Sequence, residues 1–119
     1  MKNEEAEKSV IQIRKTYNEV NPELLYAEIR EFVLKQGVLI SENKLETYTL
    51  PDQSASFISR GTLTFNCRDG KECLRAHLVG TVRGETKLML DVDEGLFSRE
   101  KMDALQNDLD FIFSAYEVK

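Results

Sequence analysis

The chain has 119 residues, of which 41% are hydrophobic and 31% are charged, and its formal net charge is −5. A chain of this length is expected to fold as a single domain, residues 1–119, with a core large enough to be stable without cross-links. The acidic balance disfavours non-specific binding to a polyanion such as nucleic acid. With only two prolines and six glycines, the composition does not indicate disorder.

The amino-terminal segment, Met1 to Lys8, is rich in charged residues, which distinguishes it from the apolar region of a secretory signal. No apolar run approaches the length needed to span a membrane. We therefore expect a cytoplasmic protein with no membrane partner.

Three segments have the periodicity of amphipathic helices. The first covers Glu4 to Val20, where apolar residues recur at three- and four-residue steps: Ala6, Val10, Ile13, Tyr17 and Val20. The second begins at Asn21-Pro22, an N-cap followed by proline at the first helical position, and ends at Gly37 as a left-handed C-cap. Its predicted buried stripe consists of Leu25, Ile29, Phe32 and Val33.

The third helix has the clearest start signal. Ser98 is a typical N-cap, and Phe97 and Met102 have the spacing of a hydrophobic staple. The apolar stripe consists of Met102, Leu105, Leu109, Ile112 and Tyr116, flanked by Phe113. It predicts a helix that extends nearly to the end of the chain.

Between the second and third helices the sequence predicts four strands, the first from Leu45 to Leu50. The next two form a β-hairpin with a two-residue turn at Asp69-Gly70, because this loop length puts the apolar residues of both arms on one face. In that register the facing pairs are Phe65 and Leu74, Leu63 and Ala76, Gly61 and Leu78, and Phe57 and Val82.

A second turn, at Arg83-Gly84-Glu85, leads into the last strand, whose inward residues are Leu88, Leu90 and Val92. A three-residue turn places Gly80 opposite Leu88 and Leu78 opposite Leu90. The predicted fold is a two-layer α+β domain, in which a four-stranded antiparallel meander is covered on one face by helices, in the order α-α-β-β-β-β-α.

The hairpin register also makes a prediction for the two cysteines. Cys67 follows the inward set and Cys73 the outward set, so they are expected on opposite faces of the sheet as free thiols. Free thiols are typical of a reducing compartment, in agreement with a cytoplasmic location. The cysteines and His77, the only histidine, do not have the spacing of a zinc site, and no metal or cofactor is expected.

The sheet face that the helices leave free is the first place to look for a binding site. Residues 56 to 90 carry six basic and three acidic side chains, whereas residues 91 to 119 carry three basic and eight acidic ones. Basic side chains gathered on one face can bind an anionic ligand or an acidic segment of a partner. The predicted binding residues are Arg60, Arg75, His77, Arg83, Lys87 and Asp91.

The residues of this face are also compatible with roles other than ligand binding. Opposite charges on neighbouring strands also stabilise an exposed sheet without any ligand. Thr62, His77 and Asp91 are predicted in one cross-strand row, but nothing nearby has the character of an oxyanion hole, so no enzyme is expected. The predicted face has no aromatic residue between Arg60 and Asp93, which disfavours binding of single-stranded nucleic acid.

The sequence leaves two classes of function open. One is a small acidic, chaperone-like interaction module that binds a protein partner through the sheet face or a strand edge. The other is a carrier of small apolar or lipid-like molecules, because the element order is similar, in topology only, to the helix-grip arrangement of lipid and hormone carriers. For a carrier, the inward strip Gly61, Ala76 and Gly80 would leave room for the ligand.

A homodimer is also open. In the predicted four-stranded sheet the last strand, Thr86 to Leu90, forms an edge that carries one charged residue before Asp91. A weakly guarded edge of this kind can pair with a second copy of the chain.

Overall fold

The computed structural model describes residues 10–49, 57–67 and 69–118. These residues form a five-stranded antiparallel sheet in the order β1-β5-β4-β3-β2. The strands are β1 (Val10–Asn18), β2 (Leu39–Thr49), β3 (Phe57–Asn66), β4 (Glu72–Gly80) and β5 (Glu85–Asp93). The helices are α1 (Pro22–Leu34) and α2 (Arg99–Phe113), and a short 3-10 helix, Ser114–Tyr116, follows α2.

The α+β class and the single antiparallel sheet are confirmed, but the number of strands and the element order are not. The order is β-α-β-β-β-β-α, because residues 10–18 form an edge strand where the sequence predicts the first helix. β1 pairs with β5 along its whole length, from Val10–Asp93 to Asn18–Glu85. Residues 4–9 of that predicted helix lie outside the described residues.

The error at β1 has a physical cause. Val10, Ile13 and Tyr17 fit a helical period, but Ile11, Ile13 and Tyr17 also alternate with polar residues at the two-residue period of a strand. Residues branched at Cβ favour the extended conformation, and β1 contains four of them: Val10, Ile11, Ile13 and Thr16. The backbone hydrogen bonds with β5 decide between the two patterns.

Both remaining helices begin where the sequence predicts. Asn21 Oδ1 accepts a hydrogen bond from the Glu23 N–H at 2.9 Å, and Ser98 Oγ accepts one from the Lys101 N–H at 3.2 Å. Gly37 has a φ of 88° in the turn that follows α1.

The buried stripe of α2 is correct over its first three turns and wrong at its end. Phe113 is buried, whereas Ile112 and Tyr116 are 40% and 50% exposed. The chain leaves the α-helical conformation at Ser114, and this change of period carries Tyr116 away from the core.

The register of the β3–β4 hairpin is confirmed along its central part. Leu63 pairs with Ala76, Gly61 with Leu78 and Phe65 with Leu74. The predicted pair of Phe57 and Val82 does not form, because β4 ends at Gly80.

The tip of this hairpin differs from the predicted two-residue turn. The Cys67 N–H donates to the Lys71 carbonyl oxygen at 2.9 Å, which closes a longer loop. A register shift follows, because Phe65 pairs with Leu74 whereas Asn66 pairs with Glu72. Cys73 is therefore the extra residue of a β-bulge.

The bulge overturns the prediction of two free thiols on opposite faces. Cys67 and Cys73 form a disulfide, and their Cα atoms are 5.9 Å apart. Strict alternation along the strand would separate the two side chains, but the unpaired bulge residue departs from it and meets Cys67. The loop at the hairpin tip is closed covalently as well as by hydrogen bonds.

The register between β4 and β5 is shifted by two residues from the predicted one. Leu78 pairs with Leu88 and Ala76 with Leu90, and the Thr81 N–H donates to the Glu85 carbonyl oxygen across the turn. A shift of two residues leaves each side chain on its predicted face. The inward set on β5 is therefore correct, while its cross-strand neighbours are not.

β5 lies in the interior of the sheet, between β1 and β4. The predicted homodimer through the edge Thr86 to Leu90 is therefore wrong, because the backbone of that segment is already paired on both sides. The outer strands are β1 and β2. β2 begins at Leu39, earlier than the predicted Leu45.

The core lies between the sheet and the two helices. Large side chains with no more than about 2% exposure come from every layer: Tyr17, Leu25, Ile29, Leu63, Phe65, Leu88, Leu90, Phe97, Leu105 and Leu109. Neither helix in the described parts of the chain is long and apolar enough to cross a membrane.

Two carboxyl groups meet where α1 lies against α2. Glu28 on α1 forms a side-chain hydrogen bond with Asp108 on α2, and this contact, together with desolvation, raises the pKa of Glu28 to about 7. Asp108 Oδ2 is enclosed by protein and has no donor among the described residues when both groups are ionised. A proton on Glu28 supplies that donor. Lys35 opposes the shift and Glu31 adds to it.

Glu28→Gln should therefore make the protein less sensitive to pH. A carboxyl whose pKa is raised on folding binds more protons in the folded state, so stability decreases as the pH rises from about 4.5 to about 7. Because Glu28 is partly solvated, we expect the substitution to raise the unfolding free energy above about pH 8 by about 1 kcal/mol. Urea denaturation at about pH 5 and about pH 8 measures this. Glu23→Gln makes the same charge change on the same helix, and the difference between the two variants measures the effect of the Glu28–Asp108 contact.

The disulfide should contribute measurably to stability. For a loop this short, the chain-entropy model predicts a loss of about 2 kcal/mol when the bond is removed. We expect denaturant unfolding of the Cys67→Ala/Cys73→Ala variant to show this loss, and the same loss on reduction of the wild type. Intact mass after alkylation, with and without reductant, reports the oxidation state. Two alkylated thiols in protein prepared without reductant would contradict the disulfide.

Candidate functional site

Antiparallel pairing gives the sheet an inner face, covered by α1 and α2, and an outer face free of helices. Three cross-strand rows of side chains occupy the outer face, each crossing all five strands. In the order β1 to β2, the rows are Gln12, Asp91, Arg75, Thr64 and Glu42; then Arg14, Met89, His77, Thr62 and Lys44; then Thr16, Lys87, Val79, Arg60 and Glu46.

A shallow groove of about 420 Å³ lies on the outer face where β1, β5 and β4 run side by side. Its lining includes a pair of outer-face residues from each strand: Arg14 and Thr16, Lys87 and Met89, and His77 and Val79. Met89 and Val79 are half-buried, whereas Arg14 and Lys87 are exposed. The groove therefore combines apolar surface with basic side chains.

The basic side chains of the groove are not neutralised by any carboxylate in the described part of the chain. Among residues 10–49, 57–67 and 69–118, neither Arg14 nor Lys87 forms an ion pair, and neither does the neighbouring Arg60. Arg14 Nε donates to Gln12 Oε1 at 2.8 Å, which orients the guanidinium and leaves its remaining donors available. Their charge is available to a ligand.

The opposite end of the outer face is already paired. Arg75 donates to both carboxylate oxygens of Glu72, at 3.0 and 2.9 Å, and this hydrogen bonding raises the pKa of Arg75. Asp91 Oδ1 accepts from Gln12 Nε2 at 2.9 Å. A depression of about 280 Å³ beside these residues is also lined by Glu72 and Asp93. This end therefore combines Arg75 with an excess of carboxylates.

The six predicted binding residues thus separate into three groups. Lys87 and His77 line the groove, and Arg60 lies beside it, across from Val79. Arg75 and Asp91 lie at the paired end. Arg83 lies in the turn between β4 and β5, outside the three rows.

His77 has no carboxylate partner in the described part of the chain. Its Nδ1 lies 3.4 Å from Thr62 Oγ1, as the hairpin register predicts. Its neighbour on β5 is Met89, whereas Asp91 is the neighbour of Arg75. The predicted row Thr62, His77 and Asp91 is therefore not formed, because the β4–β5 register differs by two residues.

Sequence reasoning missed Arg14. Its place in the groove follows from β1, which was predicted as a helix, so no sheet position could be assigned to it. The alternation of Ile11, Ile13 and Tyr17 was the signal that could have identified it, because Arg14 lies between inward residues.

The strip of small residues on the inner face is filled from both ends. The Tyr26 ring of α1 lies over Gly61, where an added Cβ would be 2.6 Å from Tyr26 Cδ2. Gly80 faces Thr86, whose buried hydroxyl donates to the Val20 carbonyl oxygen at 2.9 Å. An added Cβ at Gly80 would overlap Thr86. These glycines permit close packing and do not mark free space.

The chain matches no known protein-family model and none of the curated proteins. Within the described ranges, no three His, Cys, Asp or Glu side chains are grouped so that they could hold a metal ion. The site therefore has to be interpreted from its own residues.

Gly61→Ala tests whether the inner strip is filled. Because the new methyl group would collide with the Tyr26 ring, we expect a loss of about 1–3 kcal/mol in unfolding free energy, typical of overpacking. Gly95→Ala is the matched control, since an added Cβ there meets only Asp93 Oδ1 at 3.4 Å. Unchanged stability of the Gly61 variant would indicate free space above the strip and would support a carrier.

Proposed function

We propose that this protein is a non-catalytic, chaperone-like interaction module that binds an acidic segment of a partner protein in the outer groove. One observation carries the proposal: Arg14 and Lys87, without ion pairs among the described residues, flank the apolar surface of Met89 and Val79.

The chemistry of the groove specifies the kind of segment that fits. Carboxylates of the partner would pair with the Arg14 guanidinium and the Lys87 ammonium, and the planar guanidinium can hold a carboxylate through two hydrogen bonds. Apolar side chains between them would cover Met89. Three adjacent strands span about 10 Å, which is the width of one extended peptide with its side chains.

Two other ligand classes receive less support from the same observations. The six outer-face residues that line the groove include no Phe, Tyr or Trp, whereas single-stranded nucleic acid is usually bound by stacking on such rings. A lipid carrier needs space beneath the helices, and Tyr26 and Thr86 fill the inner strip. The Cys67–Cys73 disulfide does not favour a cytoplasmic location, because disulfides are typical of oxidising compartments.

Charge reversal in the groove tests the proposal. An NMR titration would use two synthetic peptides of about twelve residues that share their apolar residues and differ in carrying Glu or Lys at the remaining positions. We expect the acidic peptide to shift the amide resonances of β1, β5 and β4 and the basic peptide to shift none. Lys87→Glu should weaken binding at least about tenfold, and added salt should weaken it further.

Lys71→Glu is the matched control, because it makes the same charge change in the β3–β4 turn. We expect that variant to bind within about twofold of the wild type. Equal losses in the two variants would indicate an effect of net charge and would overturn the groove as the site. No resonance shifts at about 1 mM acidic peptide would overturn the proposed function.

A further inference from the structure

The two outer strands of the sheet differ in how their free edges are covered. At β1, the Val118 N–H donates to the Thr16 carbonyl oxygen at 2.7 Å, and Glu117 forms a bridge with Tyr17. At β2, no described segment pairs with the outer edge along Leu39–Thr49. β2 is therefore the outer strand whose free edge no described segment covers at any point.

The hydrogen-bonding positions of this edge follow from the sheet. The Thr81 N–H bonds to Glu85, and hydrogen-bonded pairs alternate along and between antiparallel strands. When this alternation is followed from Thr81 across β4 and β3 to β2, the N–H and C=O groups of Asn43, Leu45 and Thr47 point away from β3. The same count directs the Thr16 carbonyl outward at the other edge, where it accepts from Val118.

The side chains of β2 are complementary to a second copy of the same strand. An antiparallel pair with its two-fold axis at Leu45 places Lys44 opposite Glu46 of the other copy, and Glu46 opposite Lys44. Leu45 then meets itself on the inner face, and Glu42 faces Tyr48 on the outer face. Within one copy Lys44 Nζ lies 3.8 Å from Glu46 Oε2, and because the two side chains are 60% and 42% exposed, both charges are still accessible to a second copy.

The neighbouring registers are unfavourable. Moving the axis by one residue brings Lys44 against Lys44 or Glu46 against Glu46, and like charges directly opposite each other are destabilising. Among the axes at Lys44, Leu45 and Glu46, the charge pattern therefore favours Leu45. At this axis the two copies of Leu45 face each other. The backbone groups of both point to the open edge, as an antiparallel hydrogen-bonded pair requires.

We propose that the protein forms a two-fold homodimer by antiparallel pairing of β2 with β2 of a second copy, centred on Leu45. The two sheets become one continuous ten-stranded sheet. Since the axis is perpendicular to the sheet, the outer faces of both copies lie on the same side. The groove lies at the far end of each sheet and is not part of this interface.

Reciprocal charge exchange tests both the dimer and its register. The molecular mass of the oxidised full chain would be measured by sedimentation from about 10 µM to about 1 mM. We expect a concentration-dependent dimer for the wild type. Lys44→Glu and Glu46→Lys each create two like-charge pairs and should weaken dimerisation about tenfold or more. The double exchange K44E/E46K restores opposite charges and should restore the dimer.

Amide hydrogen exchange identifies the edge involved. In the dimer, the amides of Asn43, Leu45 and Thr47 should be protected at high concentration and lose this protection in Lys44→Glu. Lys71→Glu controls for net charge, and circular dichroism verifies that each variant is folded. A wild type that is monomeric at about 1 mM would overturn the proposal. So would a dimer that both single variants leave intact, or one in which these three amides exchange freely.

Discussion

The pairing of β1 with β5 is the constraint on which the rest of the structure depends. It joins strands from opposite ends of the described chain and places β5 in the interior of the sheet. It brings Arg14 beside Lys87 and Met89, which creates the groove, and it makes β2 an outer strand. Without this pairing the sheet would have four strands, as the sequence predicts, and would lack the groove wall that β1 supplies.

Local signals in the sequence were reliable for the starts of both helices and for the inward residues of the central strands. Hydrogen-bonding chemistry predicts the N-caps at Asn21 and Ser98. The two-residue period of a strand predicts the hairpin arms and the inward residues of β5. What could not be predicted depends on contacts distant in the chain. The residues of β1 fit two periods, and only hydrogen bonding to β5 selects one. A β4–β5 register shifted by two residues keeps the same side chains on the inner face, so the pattern of apolar residues does not exclude it.

The candidate site could also be predicted only in part. His77, Lys87 and Arg60 were correctly placed on the outer face, because parity alone decides this. Their neighbours between β4 and β5 were not, because Asp91 and His77 belong to different rows in the actual register. The disulfide was missed for a related reason: one extra residue in a strand reverses the relation between two side chains, and sequence alternation does not reveal a bulge.

The contact of Glu117 and Val118 with β1 has a consequence for assembly. A sheet with two open edges can add copies at both sides and grow into a fibre, whereas a sheet with one covered edge can add only one copy. The partly buried Lys15 on the same strand forms ion pairs with Asp110 and Glu117, and an incoming strand would also have to displace these contacts. In the proposed dimer, the contact of Glu117 and Val118 with Thr16 and Tyr17 would therefore disfavour the addition of a third copy at this end of β1.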